Sequence, residues 1–124
     1  MKRTHSVLYA VVLKEHPGIV KLGRTTNWKQ RRREYDNWNF SEGNGVLVCA
    51  VYCITEEYVD LAGLASACMN GMAVAAPIHR GREWFKSTIE HARLVIEDVL
   101  HTAQISFIEP STSRVVTKLT RVLA

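Results

Sequence analysis

The chain has 124 residues, 47% of them hydrophobic and 23% charged, and sixteen Lys and Arg outnumber twelve Asp and Glu for a formal charge of +4. This size and balance suit one folded domain with a single core; they exclude a disordered, collagen-like or disulfide-stapled chain. So mild an excess of charge does not by itself point to nucleic acid. Its distribution along the chain matters more.

Residues 6–14 are rich in Val, Leu and Tyr and read as a strand. Residues 15–18, Glu-His-Pro-Gly, read as a turn in which Pro17 presets the backbone and Gly18 accepts a positive φ. Residues 19–24 then complete an antiparallel hairpin. Asn27 is placed to cap a helix over residues 28–36. Residues 37–44 read as a loop, with Trp38 and Phe40 packing down. Residues 45–54 are nearly all apolar and suit a central strand covered on both faces.

Thr55, followed by Glu56 and Glu57, reads as a helix start running to Asn70-Gly71. Small residues at positions 62, 63, 65, 66 and 67 let that helix lie close to a neighbour. Residues 77–81 read as a loop and Glu83-Trp84-Phe85 as a short extended, structural piece. Ser87 with Glu90 forms a capping box for a helix whose apolar face is Ala92, Val95, Ile96, Val99 and Ala103. Residues 110–113 read as a linker. Beyond it Val115, Val116, Leu119, Val122 and Leu123 recur at helical spacing, opposite Arg114, Lys118 and Arg121. The expected fold is α/β: a small, largely antiparallel three-stranded sheet flanked by helices. The domain spans residues 1–104, and residues 105–124 form a linker and C-terminal helical extension.

Six of the sixteen cations fall between residues 21 and 33: Lys21, Arg24, Lys29, Arg31, Arg32 and Arg33. Such a cluster beside a strand-turn-helix suits phosphate binding, although most charge runs are solvated helix faces. The three cysteines, Cys49, Cys53 and Cys68, form no CxxC pair and suit a reducing compartment. The five histidines show no zinc-ligand spacing with them, so no metal site is expected from these residues.

Val7-Leu8-Tyr9 on the first strand, Val20-Lys21-Leu22-Gly23-Arg24-Thr25 on the second, the arginines of the first helix, and Gly81-Arg82-Glu83-Trp84-Phe85 together resemble the GIY-YIG nuclease superfamily, in its phage-type DNA-binding branch. The resemblance covers about residues 6–100. It implies a catalytic set of Tyr9, Lys21, Arg31 and Tyr35, while the clustering of charge makes Arg24, Lys29, Arg32 and Arg33 the candidate nucleic-acid contacts. Arg31 and Tyr35 lie at i, i+4 and share a helix face. In an active member Tyr9 would act as a base, its phenolate favoured by Lys21, while Arg31 stabilises the phosphate. A magnesium ion would stabilise the leaving oxygen.

The carboxylate that would hold the ion falls at Ala62, and Ser66 stands where relatives carry a histidine. Asp60, Glu56 and Glu57 are the nearby acids. The metal site therefore reads as degenerate, and no cofactor is expected unless the chain is active, when it would be magnesium. The leading function is nucleic-acid binding, DNA before RNA. The alternatives are an active magnesium-dependent endonuclease and a protein-binding module such as a small phage inhibitor. The C-terminal segment is a candidate contact for a protein partner or a second copy. No run reaches membrane length and no cleavage signal follows Lys2-Arg3, so the expected location is the cytoplasm, a host's if phage-encoded, with no membrane partner.

Overall fold

The computed structural model describes residues 6–14, 16–36, 45–56, 58–75, 78–80 and 83–112. The chain runs β1 (Ser6–Leu13), β2 (Ile19–Thr25), α1 (Trp28–Asp36), β3 (Val46–Ile54), α2 (Leu61–Ala75), β4 (Ile78–Arg80), β5 (Trp84–Lys86), α3 (Ile89–Thr102) and β6 (Phe107–Thr112). The class is α/β. The sheet has six strands rather than three, in the order β4-β5-β2-β1-β3-β6, and every neighbouring pair is antiparallel.

The three central strands are the apolar runs visible in the sequence. Because side chains alternate across a strand, β1 feeds two cores. Leu8, Ala10 and Val12 join Val20, Leu22, Ala50, Tyr52 and Ile54 beneath α2 and α3. Val7, Tyr9, Val11 and Leu13 join Cys49, Val51 and Tyr35 beneath α1. A strand buried on both faces needs an uninterrupted apolar run, and residues 7–13 provide one. The hairpin turn closes with the Ile19 amide donating to the His16 carbonyl at 3.1 Å. Gly18 does not use the left-handed region there. Gly45, at the entry to β3, is the glycine that does, with φ of 107°.

Of the added strands, β5 is the expected short extended piece, and β4 and part of β6 come from segments that read as loop or linker. β4 lies in the expected loop of residues 77–81. Residues 110–112, expected to be linker, pair with β3, so the sheet continues past residue 104. On β6, Ile108 lies opposite Cys53 and Ser111 opposite Val51, so the register shifts around Pro110. Proline lacks a ladder N–H and is tolerated here because β6 is an edge strand with an irregularity at that point.

Both later helices start elsewhere than the local signals suggest. Glu56 does not open α2; its Oε2 accepts from the Ser106 amide at 2.8 Å. The cap is Asp60, whose Oδ1 accepts from the Gly63 amide at 3.0 Å. The helix also continues through Asn70-Gly71 to Ala75. A Cβ at position 71 would stand 2.9 Å from Val95 Cγ1 on α3, so Gly71 permits a close helix crossing and does not end the helix. For α3 the cap is Thr88, which accepts from the His91 amide, rather than Ser87. The buried face of α3 is Ile89, Ala92, Ile96 and Leu100. Val95 and Val99 sit partly buried beside it, and Ala103 is the C-cap.

Trp38, Phe40, Glu57, Gly81, Arg82 and the C-terminal amphipathic segment lie outside the described residues. Among the described residues no helix is long and apolar enough to cross a membrane.

The capping assignment has a direct test. Thr88→Ala removes the acceptor for the His91 amide and should cost about 1 kcal/mol of stability in denaturant unfolding. Ser87→Ala should cost a few tenths of that or less.

Candidate nucleic-acid interface

The α1 side of the hairpin is organised by one cross-strand pair. Tyr9 on β1 lies opposite Gly23 on β2. A Cβ at Gly23 would fall on the Tyr9 ring and hydroxyl, so the ring lies flat against bare backbone. Here the absence of a side chain, rather than backbone freedom, is what the position needs. Tyr9 is 1% exposed, as is Tyr35, and their hydroxyl oxygens are 2.8 Å apart. The two rings meet edge-on, with centroids 5.9 Å apart. Trp28, at the start of α1, closes over Tyr9 with a centroid distance of 4.9 Å.

Asn27 sets the entry of α1 as its sequence position suggests: its Oδ1 accepts from the Gln30 amide at 3.1 Å. That start puts Arg31 and Tyr35 one turn apart on the inward face. Arg31 Nε stands 3.2 Å from Glu34 Oε1, and its guanidinium also hydrogen-bonds Tyr35. Lys21, two residues before Gly23, points to the same side and is 8% exposed. Its ammonium donates to Glu83 Oε1 at 3.0 Å. It also lies 5.6 Å from the Tyr35 ring centre and 5.8 Å from that of Trp84, within cation–π range. Tyr9, Lys21, Arg31 and Tyr35 therefore converge, held by two strands and one helix.

Their protonation argues against base chemistry. Burial raises the Tyr9 phenol well above its ordinary value, and the hydrogen bond to Tyr35 adds to this. Lys21 and Arg31 pull the other way by less. Burial raises Tyr35 too, against the hydrogen bonds from Tyr9 and Arg31. The expectation that Lys21 makes Tyr9 a phenolate is thus not met: both phenols are neutral at physiological pH.

The remaining cations do not form one patch. Arg24 shares its strand face with Val20 and Leu22, so it projects on the α2 side, away from Lys21. Arg32 turns inward, its Nη1 3.7 Å from Cys49 Sγ. Lys29 and Arg33 are exposed and, at i, i+4, share the outer face of α1. The side chain of Arg31 is 40% exposed and lies on the inward face, opposite these two cations.

Ala62 and Ser66, the positions where the metal ligand and histidine would fall, line a groove of about 570 Å³ on the α2 side, together with Arg24, Asn70, Glu83 and Phe85. Among the described residues, each nearby carboxylate already has a partner. Asp60 caps α2, Glu56 holds the Ser106 amide, and Glu83 is paired with Lys21. No group of three or more His, Cys, Asp or Glu side chains suited to a metal occurs among the described residues. In the sequence Glu83 stands only within the Gly81–Phe85 motif and reads as structural; its pairing with Lys21 is not visible there because the partner lies 62 residues away. No protein-family model, curated protein or solved structure matches the chain, and its reading rests on these residues and their geometry.

Two measurements check this arrangement. Gly23→Ala should destabilise the fold by about 1–3 kcal/mol through overpacking, and by clearly less in a Tyr9→Leu background. Because both phenols have raised folded-state values, the unfolded chain loses its tyrosine protons first as pH rises. The share of stability that these two phenols contribute should therefore hold to about pH 9 and be lost above about 10, the ordinary phenol range. That loss comes on top of an earlier decline from the buried Cys68 thiol, which is also raised. Tyr9→Phe should flatten that alkaline decline.

Proposed function

We propose that this chain binds nucleic acid, DNA before RNA, on a GIY-YIG-like scaffold whose chemistry stops at phosphate contact. The observation that carries this reading is the convergence of Tyr9, Lys21, Arg31 and Tyr35, the four positions that the family resemblance selects. Arg31 stands at the boundary between that cluster and solvent. Its guanidinium is oriented by Tyr35 from behind and by Glu34 at its side, which suits a fixed, fork-shaped phosphate donor. Lys29 and Arg33 extend the contact along the outer face of α1. Each contact made releases a counterion and contributes about 0.9 to the salt slope on duplex DNA.

Hydrolysis does not belong to this reading. The magnesium ion that the resemblance implies does not fit the described residues: Ala62 offers no oxygen, and Asp60, Glu56 and Glu83 are engaged in a cap, a backbone hydrogen bond and an ion pair. Magnesium needs one or two protein carboxylates beyond its own water. Tyr9, held neutral, is no base. Binding and cleavage therefore separate, and binding remains. An active nuclease and a protein-binding module on the same scaffold are the competing outcomes.

The test is equilibrium binding to a labelled oligonucleotide across a salt series. Alanine at Lys29, Arg31 and Arg33 together should weaken binding to all sequences alike and reduce the salt slope by about 3. A plasmid incubated with the unmodified protein and magnesium should stay supercoiled. Binding unchanged by the triple substitution would place the contact elsewhere, and magnesium-dependent nicking abolished by Tyr9→Phe would establish the nuclease. Failure to bind any nucleic acid would leave the protein-binding module.

A further inference from the structure

The α1 surface leaves the groove on the other face of the hairpin without a role. It lies between α2 and the β2–β5 side of the sheet and measures about 570 Å³, within the range of small-ligand sites. Its walls are chemically unlike. The α2 wall has no charged residue along its whole length, Leu61–Ala75. It offers exposed Ala62, Ser66 and Asn70, whose hydroxyl and amide lie one turn apart. The sheet wall offers Arg24 and Glu83, with buried Phe85 behind them. Arg24 is exposed and has no ion-pair partner among the described residues.

We infer that this groove receives one unstacked nucleotide of a single-stranded nucleic acid, its phosphate on Arg24 and its base against the neutral α2 wall. The inference rests on the nucleic-acid reading above and names the form of nucleic acid bound. A guanidinium free of carboxylates at one end suits a phosphate oxygen pair. Ser66 and Asn70, one turn apart, supply both donors and acceptors, and Ala62 leaves room for the ring.

A base held in a duplex is stacked and paired, and cannot enter a groove of this kind; an unpaired one can. The chain path links the groove to the α1 surface. Arg24 ends the α2-facing row of β2, and Trp28 and Lys29 follow four and five residues later across one turn. A strand crossing the end of β2 would meet Lys29 and the half-buried Trp28 on one side and Arg24 on the other.

The experiment compares a labelled 12-nucleotide single strand with the same sequence as a blunt duplex, using the full chain at fixed low salt. The single strand should bind at least about tenfold tighter. Ala62→Leu and Ser66→Leu, made separately at exposed helix positions, fill the groove without touching either core. Each should weaken single-strand binding about tenfold and leave duplex binding unchanged, with unaltered circular dichroism as the folding check. Arg24→Ala should weaken single-strand binding by a similar factor. Equal binding of both forms, or groove-filled variants that bind the single strand as the parent does, would overturn this inference while leaving the phosphate-binding reading intact. Binding of neither form would overturn both.

Discussion

The contact between the Tyr9 ring and the bare backbone of Gly23 organises this molecule. It lets a bulky phenol lie down over β2, which puts its hydroxyl within reach of Tyr35. That hydrogen bond fixes α1 over the hairpin, and with it the direction of Arg31. Trp28 then closes the near end of the cluster. Any side chain at position 23 would lift the ring, and α1 would lose its seat. The requirement is steric and local, yet it sets the geometry of every group on that face.

A second constraint is the disposal of charge. A buried ammonium needs a partner, and Lys21 finds one in Glu83 with two aromatic faces around it. The cost of burying Lys21 is met within the fold, so its charge is largely spent before any ligand arrives. Arg32 is likewise turned inward. Of the cations on β2 and α1, Lys29, Arg33 and Arg24 are exposed and Arg31 partly so. On the proposed reading, a contact made by these groups depends strongly on salt.

Where the governing interaction is local, the sequence was legible. Asn27 caps α1 three residues from its acceptor, and α1 begins and ends where its pattern suggests. The runs of β1, β2 and β3 also stand where their apolar residues indicate. The α2 start misleads because Thr55-Glu56 imitates a cap, while Glu56 is drawn to the Ser106 amide fifty residues away. Pro110 argues for a linker unless it is known that the segment lies on a sheet edge. The candidate site divides in the same way. Motif spacing brings Tyr9, Lys21, Arg31 and Tyr35 together, but Glu83 and the dispersal of the basic run depend on which faces β2 and α1 present. Those faces are set only once the sheet and helix pack.

The most direct test of a phosphate-contacting surface built on the Tyr9–Gly23 seat is a residue-resolved titration. The uniformly ¹⁵N-labelled protein would be titrated with a short oligonucleotide and followed by amide, indole and guanidinium resonances. The account predicts that the largest shifts fall on the Arg31 side chain, on the amides of residues 28–33 and on the Trp28 indole. The residues of β3 and α3 should stay still. Shifts confined to α3 and β6, or none at saturating oligonucleotide, would contradict it.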